Sequence, residues 1–69
     1  MAYTPADLET AERHIAQAEQ DIAEQERLVS RLRLKGLPTE AADELLSTYR
    51  SLLEMHRDHR DAIEDHLCV

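Results

Sequence analysis

Three histidines lie within the segment MHRDHRDAIEDH, Met55 to His66: His56, His59 and His66. A fourth, His14, sits near the other end of the chain. Neutral imidazole is a common ligand for zinc and similar ions, and it is the side chain that changes charge near neutral pH. Both chemistries have to be weighed. His56 and His59 are three residues apart, so on a helix they share a face with an axial rise of about 4.5 Å between them. His14 can add a third ligand only if the chain folds back on itself, with Glu12 or Asp58 as a carboxylate. His66 lies about 10 Å beyond His59 along the axis and is out of reach of that set. The Glu-x-x-His signature of di-iron bundles is missing, because Leu53 stands three before His56 and His56 three before His59.

Histidines at this spacing are also ordinary members of a helix whose other side is charged, as Arg57, Asp58, Arg60 and Asp61 make it here. The expectation is a polar end to a helical seam, with no metal and no cofactor. His56, His59 and His14 are the residues on which a metal reading would rest. A pH response competes with both, since four histidines carry the formal charge from −7 to about −3 in mild acid. Its sign depends on surroundings: burial would make acid destabilising, and acidic neighbours would make it stabilising.

Other chemistries are poorly served. Ser30, Ser47 and Ser51 have no base and acid arranged around them, and a single glycine cannot build a phosphate-cradling loop. Cys68 is the only cysteine, which excludes an internal disulfide and a zinc finger and suits a reducing compartment. The expectation is that the protein is not an enzyme. Fifteen acids against eight bases disfavour phosphate backbones and anionic membrane surfaces, so neither nucleic acid nor membrane is expected as a partner. No run approaches the roughly 20 apolar residues that span a bilayer. The opening MAYTPADLET has neither a basic start nor an apolar stretch, so no secretory leader is expected and the location reads as cytoplasmic.

The elements that position these residues are marked by punctuation. In TPAD, Thr4 is placed as an N-cap, Pro5 as the first helical residue and Asp7 as the reciprocal partner of a capping box. The first helix should run from about 5 to 34. Gly36 can take the left-handed conformation that ends it, Leu37 folds back toward Leu32, Pro38 blocks continuation and Thr39 caps the next helix. The second helix should run from about 40 to 66, with its last turn, through Val69, fraying. In the first, Leu8, Ala11, Ile15, Ala18, Ile22, Gln25, Val29 and Leu32 recur at spacings of three and four. In the second, Ala42, Leu45, Tyr49, Leu52, His56, His59, Ile63 and His66 keep the same rhythm, with Leu46, Leu53 and Leu67 as a neighbouring stripe.

A short turn makes the helices antiparallel neighbours. Folding at Leu37 sets Leu32 against Ala42, Val29 against Leu45, Gln25 against Tyr49, Ile22 against Leu52, Ala18 against His56, Ile15 against His59, Ala11 against Ile63 and Leu8 against His66. The fold class is therefore all-α, a single domain over 1–69: an antiparallel, coiled-coil-like two-helix hairpin. The apolar face of the second helix is too wide for one partner seam, and Leu28 and Leu34 fall outside the first. Pairing of two hairpins into a dimeric four-helix bundle covers the excess. The expected interface comprises Leu28, Leu45, Leu46, Tyr49, Leu52, Leu53, Ile63 and Leu67.

The pattern that joins His14-Ile15, Glu19, Ile22, Gln25, Leu32 and Gly36 to Thr39, Ala42, Leu45-Leu46, Leu52 and HRDAI (His59 to Ile63) resembles a family of short bacterial helical-hairpin proteins of unassigned function. The resemblance spans about 11 to 63. It implies a helical hairpin and carries no activity or site residue with it. The function expected from the residues is a small structural or protein-interaction module that self-associates through helix faces. A histidine-based metal-binding or pH-responsive bundle, and a regulatory adaptor or antagonist of a larger protein, are the alternatives.

Overall fold

The computed structural model describes residues 2–68. Two helices account for nearly all of them: α1, Pro5–Leu34, and α2, Glu40–Leu67. They lie against each other along a rod of 53 × 15 × 14 Å. None of the described helices is long and apolar enough to cross a membrane.

Local chemistry sets each boundary. The Thr4 hydroxyl accepts from the Asp7 amide at 3.3 Å, and the Asp7 carboxylate accepts from the Thr4 amide at 2.8 Å. This exchange satisfies two amides that the first turn leaves without helical partners. At the other end Gly36 turns left-handed at φ 70°, which a side chain would oppose. The Gly36 amide then donates to the Arg33 carbonyl at 3.1 Å and the Leu37 amide to the Leu32 carbonyl at 2.9 Å, the paired bonds of a Schellman stop.

The start of α2 departs from the expected cap. Thr39 is the residue before the helix, but its backbone already lies near the helical region, and its hydroxyl caps no amide. That hydroxyl donates instead to the Asp43 carboxylate at 2.9 Å. At the far end α2 continues one residue beyond the expected stop, and the Cys68 amide still reaches the Glu64 carbonyl at 2.9 Å. The last turn, expected to fray, is thus helical through Leu67, and Val69 lies outside the described residues.

The core is narrow. Ile15, Ala18 and Leu53 form a buried cluster with Ile22 packed on it, and Ala11, Val29, Leu46 and Ile63 are buried along the same line. Ile63 is 0% exposed. Helix α1 buries the expected seam. Helix α2 does not: its inward line is Ala42, Leu46, Tyr49, Leu53, His56, Arg60, Ile63 and Leu67, all buried or half-buried, whereas Leu45, Leu52, His59 and His66 are exposed. Every second seam position is thus shifted by one residue, which turns the helix as a whole by about 50°. Val29 shares a groove with Leu46 in place of Leu45, and Ile22 packs on the cluster containing Leu53 in place of Leu52. Cross-helix contacts straddle the expected longitudinal register: Glu26–Arg50 and Arg33–Asp43 lie about two residues to one side of it, His14–His56 about four and Gln25–Ala42 about seven to the other.

Gln25 is buried at 8% exposure. Folding at Leu37 sets it against Tyr49; its amide nitrogen donates to the Ala42 carbonyl of α2 at 2.9 Å. A side-chain donor aimed at a backbone carbonyl of the opposite helix satisfies a buried amide that would otherwise be costly.

Candidate functional site

The groove between two helices has two flanks, and here they differ. One is lined by Glu26, Val29, Ser30, Arg33, Asp43, Leu46 and Arg50. Ion pairs cross it: Arg50 with Glu26 at 3.7 Å and Arg33 with Asp43 at 3.8 Å. Asp43 also takes the Thr39 hydroxyl. Such solvent-exposed pairs add little stability, but they dress the flank in charge.

The other flank is open and apolar. His14, Gln17, Ala18, Asp21, Tyr49, Leu52 and His56 line a groove of about 200 Å³. Heptad spacing carries the same flank toward the turn through Leu28, seven residues after Asp21, and Leu45, seven before Leu52. Leu28, Leu45 and Leu52 are 36%, 42% and 41% exposed. Of the expected interface, then, Leu46, Leu53 and Ile63 are closed inside the hairpin, where they hold the two helices of one chain together. Tyr49 and Leu67 are half-buried, and Leu28, Leu45 and Leu52 remain available. The stripe of Leu46, Leu53 and Leu67, expected beside the seam, is the seam.

The histidines divide into two settings. His14 and His56 meet across the hairpin with ring centres 5.4 Å apart and planes tilted by 51°. His59 and His66 do not face Ile15 and Leu8. Both stand edge-on to Tyr3, with centres 5.9 Å and 5.6 Å from its ring. His14, His56 and His59 are therefore not one cluster, and no group of three or more His, Cys, Asp or Glu among the described residues is arranged to hold a metal ion. Glu12 and Asp58 are exposed and join neither pair.

Tyr3 is the residue that the sequence reading passed over. It immediately precedes the Thr4 cap, the position from which a hydrophobic residue commonly folds back onto the first helical turns. That placement was the available signal. Tyr3, with Ala2, Asp7, Thr10, Ala11, His14 and His59, lines a second groove of about 410 Å³, so the N-terminal arm lies over the open end of the hairpin. Compared with known proteins, the chain matches no family model, no curated protein and no solved structure.

Proposed function

We propose that the hairpin is a protein-interaction module that docks its open flank against a helical partner, and that this partner is a second copy of the chain. The observation that carries the reading is the contrast between flanks. Charge pairs cover one, whereas Leu28, Leu45 and Leu52 stand open on the other beside Tyr49. The single-chain core supports it too. It is a single thin line of buried side chains, two of them alanines, and helical units this small usually need a staple or a partner. Two copies packed flank to flank form a four-helix bundle with the open leucines at its centre. On the hairpin fold and the stop at Gly36 we further propose that the chain sits with the short bacterial helical hairpins it resembles.

Sedimentation equilibrium tests the main reading. The wild-type chain should sediment as a dimer at tens of micromolar, a range typical of modest interfaces. Leu45→Glu/Leu52→Glu should sediment as a monomer and keep its helical circular dichroism. A monomeric wild type, or a double variant that remains dimeric, would reject the proposal.

A further inference from the structure

We propose that His14 and His56 form a two-imidazole clamp for a divalent transition ion of the zinc class, bridging α1 and α2. The separation of the rings is the first ground. Zinc bonds imidazole nitrogen at about 2.05 Å, and a ring centre lies about 1.1 Å further, so two imidazoles on one tetrahedral ion have centres about 5.2 Å apart. The observed separation is 5.4 Å. The second ground is the free state of the rings. No hydrogen bond to another described residue engages a nitrogen of either histidine. The third is access: in the single hairpin both rings line the open groove, so water can fill the positions on the ion that two imidazoles leave free. Asp21 lines the same groove, and the Gln17 amide holds its carboxylate at 3.0 Å, so negative charge faces the approach path.

The sequence favours the wrong pair for this chemistry. His56 and His59 look like natural co-ligands at three residues apart, but His59 is turned to Tyr3. A pair drawn from one helix would stabilise that helix alone. A pair drawn from two helices ties them together, so binding must stabilise the hairpin.

Zinc titration followed by calorimetry and thermal melting tests the clamp. Binding should saturate at one ion per chain. At a free zinc concentration tenfold above the dissociation constant, the melting temperature should rise by about 6–10 °C. His14→Ala and His56→Ala should each abolish the rise, and His59→Ala/His66→Ala should keep it. A melting temperature unmoved by zinc would overturn the proposal, as would a rise that survives both single variants or vanishes in the His59/His66 variant. Circular dichroism of the metal-free variants checks that each is folded. If His14→Ala is unfolded, His14→Asn takes its place. The clamp shares its flank with the proposed docking surface, so the melts are run at a dilution where sedimentation shows the monomer, which separates failure of the clamp from that of self-association.

Discussion

Gln25 shows what a single polar side chain does in a seam of aliphatic ones. Burying an amide costs free energy unless its hydrogen bonds are replaced, and the Ala42 carbonyl replaces one at 2.9 Å. That carbonyl also belongs to the helical ladder of α2, so it keeps a partner if Gln25 is removed. The two helices can slide past each other only by breaking the Gln25 bond, which gives the residue a role in register beyond its contribution to stability. Gln25→Ala leaves a void and should lower the unfolding free energy by about 1–3 kcal/mol in urea. Gln25→Leu refills the void with apolar surface and should stay within about 1 kcal/mol of the wild type. It should nonetheless relax the register, seen as faster amide exchange near Ala42. Equal losses for the two variants would mean that the side chain acts through volume alone.

At the scale of the elements, the choice made by α2 was not legible in the sequence. Adjacent leucines at 45–46 and again at 52–53 offer two lines that obey the same three-and-four rhythm. One line continues through His59 and His66, the other through Arg60 and Leu67. A reading by residue type prefers histidine to arginine in a seam, and so selects Leu45 and Leu52. The structure takes the other line because an arginine can lay its aliphatic stem inward and keep its head in water. Arg60 is half-buried and its guanidinium reaches Asp61 at 3.0 Å. The exchange brings Leu46, Leu53 and Leu67 inward and moves two histidines out to Tyr3. Arg60→Leu should then stabilise the hairpin by about 1 kcal/mol, the gain from apolar atoms added along a buried line. His59→Leu, on the exposed line, should give none in the monomeric background of Leu45→Glu/Leu52→Glu. The reverse ranking in urea unfolding would return α2 to the rotation the sequence favours. The caps at Thr4 and Gly36 were legible because each depends on a few adjacent residues whose backbone roles have few substitutes. The His14–His56 pair was not, because it depends on the rotation of two helices at once.

Across the whole molecule, charge is unevenly spread. The open half carries Asp7, Glu9, Glu12, Glu19, Glu54, Asp58, Asp61, Glu64 and Asp65 against Arg13, Arg57 and Arg60. The turn half carries Asp21, Glu24, Glu26, Glu40, Asp43 and Glu44 against Arg27, Arg31, Arg33, Lys35 and Arg50. Nearly all of the net charge of −7 therefore lies at one end of a rod 53 Å long. Two such rods docked side by side with open ends together would stack that charge on itself. Docked head to tail, each acidic half lies along a nearly neutral one, at separations where charges still interact at low salt. The two-fold axis of the proposed dimer should thus run across the rods and not along them. Spin labels at position 37, in a Leu37→Cys/Cys68→Ser chain, distinguish the arrangements by pulsed electron resonance. Antiparallel docking should separate the two labels by a distance approaching the 53 Å rod, and parallel docking would hold them within about 20 Å, two helix diameters. Raising salt from about 0.05 to 0.5 M should tighten the dimer several-fold, because both subunits remain negative overall and screening removes their repulsion. A short label separation combined with weakening by salt would show that specific ion pairs, and not this charge polarity, set the orientation.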